Sequence, residues 1–276
     1  MSTARATTGD IDVPLTTGLP AGRLLSHLWK DQRPDIVYVA TEGPLGWSAQ
    51  RAAARYRIPI VSGFHTNFHS YSRHYGLGLI RGPVLNYLKR FHNRTTTTIV
   101  PTPQLKTRLE EIGFNHVQVV SRGVDTQLFR PERRSWGLEP NDVAVLYVGR
   151  IAAEKNLPLA VRCFRPLEAV GLSLRFVVVS DGPLRGPLSE SNHDFVFTGM
   201  KTETDLAEHY ASGDILLFPS ETEAFGNVIL ESMASGLATT AYNYATAANH
   251  IQNGVNASWT TGTARPNCGQ MPTAMP

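Results

Sequence analysis

Apolar positions along the chain alternate between two rhythms, and the alternation predicts a parallel α/β protein. Leu24, Leu25, Leu28 and Trp29 are spaced by three and four residues and make one helical face. Pro34-Asp35 then introduces a β-branched run at 36–40, a glycine loop at 43–46 leads to a good helix former at 47–54, and 58–61 supplies the next strand. Strand, helix and strand with short connections form the βαβ unit of a parallel sheet. The rhythm continues with a helix at 84–92, a strand at 98–101, a helix at 104–111, a strand at 117–120 and a connector at 122–131. A second set opens on a strong strand at 143–148. It runs through a helix at 157–164, a strand at 174–179, a turn at 180–183, a strand at 195–199, a helix at 204–211 and an apolar run at 215–218. Residues 1–19 are polar with little periodicity, and periodicity is lost again beyond Val255.

With 276 residues, the chain exceeds the size of a typical single domain. The expected division is 1–127 and 128–276, with an atypical tail from about 257. A composition of 42% hydrophobic and 18% charged residues supports a sizeable core. The net charge of +3 comes from scattered basic residues, which argues against nucleic acid. The group Lys89-Arg90 with Arg94 suits an anionic lipid or phosphate. Two cysteines, Cys163 and Cys268, provide no disulfide framework and fit a reducing, cytoplasmic setting. No run approaches the ~18 apolar residues of a membrane span, and the first residues lack the apolar core of a secretory leader.

The most informative stretch is Leu216-Leu217-Phe218-Pro219-Ser220-Glu221-Thr222-Glu223-Ala224-Phe225-Gly226-Asn227-Val228-Ile229-Leu230-Glu231. Pro219 and Ser220 close a strand, and a helical pattern opens near Gly226. The first turn of such a helix has unpaired N–H groups suited to a phosphate or sugar hydroxyl. Glu223 precedes that turn and Glu231 lies within the helix, roughly 10 Å further along at the helical rise, enough to hold two ends of one elongated ligand. An isolated acidic residue at a helix start is more often a solvated complement to the dipole. The whole string, through Met233-Ala234-Ser235-Gly236, resembles the donor-site signature of retaining glycosyltransferases of family 4. The resemblance implies that Glu223 contacts the donor sugar, that the Phe225, Gly226 and Asn227 amides support it, and that Glu231 binds the nucleotide ribose.

Other segments extend the match. Gly149-Arg150-Ile151-Ala152-Ala153-Glu154-Lys155-Asn156 resembles the family's diphosphate clamp, with Arg150 leaving a strand end and Lys155 opening the next helix. A departing diphosphate needs fixed cations or a metal ion, and these two side chains supply the former. Ser180-Asp181-Gly182-Pro183 reads by itself as a turn, and by resemblance Gly182 lets the backbone approach the donor while Met200 lies beside the base. Phe64-His65-Thr66 follows a strand end, where ligands of open α/β sheets bind, and resembles the family's acceptor-side histidine motif. His65 would orient the donor sugar. Asp10-Ile11-Asp12 lies outside any βα frame and does not read as a metal site, and no Cys or His group has zinc spacing.

The resemblance implies an α/β protein of two Rossmann-like, doubly wound domains facing a cleft, the GT-B arrangement, with both domains incomplete against the family pattern. It implies a hexosyltransferase, mannosyl by its likeness to bacterial members at 63–78 and 90–103, using GDP-mannose or another nucleotide-diphosphate sugar without cofactor or metal. The acceptor would be lipid-linked or a glycan, and the location cytoplasmic, peripheral at the inner face of the membrane. A phosphorylase or sugar-phosphate synthase of the same fold and an inactive nucleotide-sugar-binding fragment are the alternatives.

Overall fold

The computed structural model describes residues 19–65, 81–137, 139, 142–171, 173–220, 223, 225–243, 245–252, 254–255 and 258–260. Two compact units emerge, each built on a wholly parallel sheet.

The first unit carries β1 (Val37–Val39), β2 (Ile60–Gly63), β3 (Thr97–Val100) and β4 (Val117–Val119), side by side in chain order. Helix α1 (Gly22–Asp31) precedes β1, and α2 (Pro44–Arg55), α3 (Arg81–His92) and α4 (Pro103–Glu111) are threaded between the strands. Pro44 sits in the first turn of α2, where its missing N–H costs nothing, and the alanines that follow allow close packing on the sheet. Ala49, Ala53, Val39, Ile58, Ile60 and Phe91 form the core of this unit. Beside it lies a buried polar chain, in which His92 Nδ1 is 2.9 Å from Ser62 Oγ and His92 Nε2 is 3.1 Å from Glu42 Oε1. Thr95 and Thr98 hydroxyls lie 3.0 and 3.1 Å from the same Ser62 oxygen, so these buried polar groups are satisfied by one another. At the β1 edge an apolar pocket of about 370 Å³ is walled by Leu24, Leu25, Leu28, Trp29, Val37 and Val39.

The second unit contains β5 (Asp142–Val148), β6 (Ser173–Val179), β7 (Val196–Gly199), β8 (Ile215–Phe218), β9 (Ala238–Tyr242) and β10 (Ser258–Thr260). Their order across the sheet is β10-β9-β8-β5-β6-β7. Helices α5 (Leu157–Phe164), α6 (Arg185–Ser191), α7 (Glu203–Ser212), α8 (Asn227–Ala234) and α9 (Thr246–His250) connect them. Central strands are apolar on both faces because each side of the sheet is covered. Ala144, Leu146 and Val148 of β5 join Val177, Val179, Leu216 and Phe218 in one core. Val145 and Tyr147 join Phe176, Val178 and Leu217 in the other. This is the period-two alternation of a strand applied to two apolar layers.

Three features depart from the sequence expectation. Lys155 does not open an α-helix but ends a 3-10 turn, Ala153–Lys155, before Asn156 adopts the left-handed conformation with φ 53° and α5 begins. Strand β9 and helix α9 were unforeseen, because 238–242 mixes alanine with threonine and α9 is a single short turn. Strand β10 pairs with β9 inside the tail that carries no apolar periodicity. Backbone pairing extends the sheet there without any strong apolar signal.

Candidate functional site

The strand order of the second unit contains a reversal. From β5 the chain moves outward through β6 and β7, then returns to place β8 on the other flank of β5 before moving out through β9 and β10. Loops leaving β5 and β8 therefore diverge and open a crevice at the carboxyl ends of the strands, the usual ligand position in an open parallel sheet. Lys155 follows β5 and Glu223 follows β8, and they meet there: Lys155 Nζ donates to Glu223 Oε1. Ser220 Oγ donates to the same oxygen at 2.7 Å. The two charged side chains are only 22% and 15% exposed, so their attraction is weakly screened.

Several contacts hold this pair in place. Tyr147, buried in β5, directs its hydroxyl at the carbonyl oxygens of Arg150 and Lys155, 3.3 Å from each, and shares its one hydrogen between the two ends of the loop that follows β5. Burial, followed by the negative charges of Glu223 and Glu154, pushes that hydroxyl far above the ordinary tyrosine range. It stays a neutral donor. On the β8 side, Phe225 is buried and its carbonyl accepts the backbone N–H of Thr246 at 3.2 Å and the Thr246 hydroxyl, so α9 anchors the loop that carries Glu223. Gly226 caps α8 with φ 91°, a conformation that disfavours any side chain, and Asn227 begins the helix. Arg150 lies at the rim, 67% exposed, with its guanidinium 3.7 Å from Glu154.

Glu231 lies just over one turn into α8. Tyr210, fully buried on α7, donates its hydroxyl to Glu231 Oε2 at 2.9 Å. Burial raises the Glu231 carboxyl above its usual value and the Tyr210 hydrogen bond partly offsets this. The same burial, with the charge of Glu231, raises Tyr210 well above its own range.

Gly182 has a reason of its own. A Cβ there would stand 2.4 Å from the Ile151 carbonyl oxygen, because the loops after β5 and β6 lie backbone on backbone, with Ile151 N–H donating to Asp181 O at 3.0 Å. Close packing against the loop that follows β5 thus requires a glycine at this position. Asp181 is held below the usual carboxylate range by the Gly182 N–H and by Arg185. Ser180, with φ 136°, donates its N–H to Gly199 O at 3.0 Å. Such backbone strain in a non-glycine residue marks the β6 and β7 ends as over-determined by their surroundings. Met200 follows, 66% exposed, with its sulfur 3.9 Å from Ser180 Oγ.

In the first unit His65 lies just past β2, exposed, with its Nε2 2.8 Å from the Tyr38 hydroxyl. Gly63 makes room for this contact, since a Cβ there would stand 2.2 Å from the Tyr38 oxygen. Among the described residues no three His, Cys, Asp or Glu side chains are grouped as a metal site, and no helix is long and apolar enough to cross a membrane. Asp10 and Asp12 lie outside the described residues. The basic group at the end of α3 is partly occupied: Lys89 donates to Ile112 O at 3.0 Å and Arg94 lies over the Trp47 ring.

Tyr147, Tyr210 and Thr246 carry no sequence signal, and Ser220 reads only as the close of a strand. The two tyrosines read as core positions of a strand and a helix, and their partners are set by tertiary contact.

The family model described as Glycosyltransferase Family 4 matches residues 11–128, and that described as Glycosyl transferases group 1 matches 142–267. A GDP-mannose-dependent alpha-mannosyltransferase of Corynebacterium glutamicum is 32% identical over 255 residues, 89% of this chain and 60% of that protein. The sulfoquinovosyl transferase SQD2 of Arabidopsis thaliana is 31% identical over 237 residues, 82% of this chain and 45% of that one. The chain thus spans about half to three fifths of the length of these curated relatives. Among solved structures, Anabaena HepE in complex with UDP and glucose superposes with a TM-score of 0.68 at 18% identity, covering 90% of this chain and 69% of that one. TarM superposes with a TM-score of 0.71 at 13% identity over 90% of this chain and 49% of that one. At these identities the likeness concerns the fold, which is that of the GT-B glycosyltransferases.

Proposed function

The chain belongs to glycosyltransferase family 4, and from that premise we propose that it transfers a hexosyl group, mannosyl from GDP-mannose, to a lipid-linked or glycan acceptor with retention of configuration. The observation that carries the reading is the meeting of Lys155 and Glu223 at the strand-order reversal of the second unit. In the reaction the bond between the sugar's anomeric carbon and the diphosphate breaks, a bond to the acceptor hydroxyl oxygen forms, and the hydroxyl proton is lost to the leaving diphosphate or to solvent. Charge accumulates on the diphosphate, and fixed cations in a partly desolvated crevice stabilise it without a metal ion. Lys155 and Arg150 are the proposed cations.

Glu223 and the Phe225-Gly226-Asn227 backbone would hold the sugar and Glu231 the ribose, while Gly182 would let the backbone approach the donor and Met200 would lie beside the base. His65 keeps a proposed role toward the transferred sugar that rests on the likeness of Phe64-His65-Thr66 alone. Mannose as the sugar and GDP as the carrier follow the names of the relatives from Corynebacterium glutamicum and Mycobacterium tuberculosis. A lipid acceptor follows the alpha-monoglucosyldiacylglycerol synthase of Streptococcus pneumoniae, 27% identical over 226 residues. We also propose that the parts divide near 127, acceptor side first and donor side second, and that the protein works at the cytoplasmic face of a membrane.

The test is incubation with GDP-mannose and with UDP-glucose, each with a diacylglycerol acceptor, reading nucleoside diphosphate release and glycolipid by mass spectrometry. Parallel samples contain sugar phosphates in place of nucleotide sugars. Release from a nucleotide sugar supports the reading. Consumption of the sugar phosphate alone would favour a phosphorylase or synthase, and nucleotide binding with no turnover a binding fragment.

A further inference from the structure

Arg150 and Lys155 each stand beside a carboxylate. Arg150 lies 3.7 Å from Glu154 and Lys155 is bound to Glu223, so neither cation meets an incoming anion without a carboxylate already beside it. Of these pairs, Lys155–Glu223 is the sheltered one, and Glu223 Oε1 also accepts Ser220. A diphosphate that takes Lys155 therefore has to draw it from Glu223. The carboxylate left behind is largely buried, and of its Lys155 and Ser220 bonds it has lost the one from Lys155. Losing one partner of a sheltered ion pair is costlier than the pair itself is worth. A ligand with hydroxyl groups next to its diphosphate repairs that loss, because those hydroxyls donate to Glu223 in place of the ammonium.

Resting on the donor-site reading, we infer that the Lys155–Glu223 pair selects the intact nucleotide sugar over the nucleoside diphosphate that the reaction releases. Glu223 acts as an internal competitor for Lys155 that sugar hydroxyls satisfy and a bare diphosphate does not. Once the sugar has been transferred, Glu223 reclaims Lys155 and promotes departure of the product.

The experiment is calorimetry on the full chain with GDP, UDP, GDP-mannose and UDP-glucose, comparing wild type, Glu223→Gln, Lys155→Gln and the double variant. Glutamine keeps the volume and an acceptor for Ser220 while removing the charge. Glu223→Gln is expected to bind the nucleoside diphosphate roughly fivefold more tightly, the equivalent of about 1 kcal/mol for a partly exposed ion pair, and to lose the advantage of the nucleotide sugar over it. In the Lys155→Gln background the same change is expected to leave diphosphate affinity unaltered, since there is no ammonium left to compete for. Glu223→Asp, which retains the charge but withdraws it by one methylene, is expected to shift diphosphate affinity in the same direction as Glu223→Gln. Weaker or unchanged diphosphate binding in both Glu223 variants overturns the inference while leaving the donor site in place, and so does a gain that persists without Lys155. Absence of nucleotide binding by the wild type and by every variant overturns the donor-site reading, and the inference with it.

Discussion

Replacing Glu231 by alanine should cost both nucleotide affinity and folding stability, and a second substitution separates the two. Tyr210 is fully buried and its hydroxyl donates to Glu231 Oε2 at 2.9 Å. In Glu231→Ala that hydroxyl loses its acceptor inside the core, a loss of about 1–3 kcal/mol. Part of this is recovered, because burial raises the Glu231 carboxyl and the wild type bears the cost of desolvating it at neutral pH. The expected net destabilisation is therefore near the lower end, about 1 kcal/mol. Affinity for the nucleoside diphosphate should fall by roughly 10- to 150-fold if Glu231 accepts from ribose hydroxyls, the range of a charge-assisted hydrogen bond. Adding Tyr210→Phe removes the stranded hydroxyl and should restore most of the stability while restoring none of the affinity. Urea denaturation measures the first quantity and calorimetry with GDP and UDP the second. Recovery of affinity in the double variant would mean that Glu231 acts only by supporting the fold, and the ribose assignment would be withdrawn.

Stability should also depend on pH through Glu231. Its folded carboxyl is raised above the ordinary 4.5, so the native state holds that proton more tightly, and the associated stability is present below 4.5 and lost as pH rises through the raised value. Glu231→Gln, compared with wild type by denaturation at pH 4 and pH 7, should gain relative stability at the higher pH, and a difference that does not vary with pH would contradict the shift. Gly182→Ala forces a methyl to within 2.4 Å of the Ile151 carbonyl oxygen and should destabilise by about 1–3 kcal/mol, as an overpacked site does; an unchanged melting temperature would remove the packing explanation for this glycine. Turnover with a nucleotide sugar should be unaffected by EDTA, since Lys155 and Arg150 are proposed to supply the positive charge; loss of activity that magnesium or manganese restores would refute this.

The string from Leu216 to Glu231 and the segment from Gly149 to Asn156 were legible because their information is local. A strand end, a turn and a glycine-capped helix start are dictated within a few residues, and the family signature is written in the same residues. The alternation of strands and helices was legible for a similar reason: apolar spacing reflects which face of each element is buried. Strand β10 and helix α9 were not, since a short polar strand is decided by the open sheet edge beside it and a single-turn helix has no period to read. Nor could spacing reveal that Lys155 and Glu223, 68 positions apart, form an ion pair. That contact depends on β8 returning to the flank of β5, and nothing along the chain records which strand lies beside which. The same holds for Tyr210 and Glu231, on two helices brought together by packing. Residue types and local backbone thus decided which chemistry the chain carries, while sheet order decided which charges face each other, because that order is set by the combined burial of both sheet faces and not by any one segment.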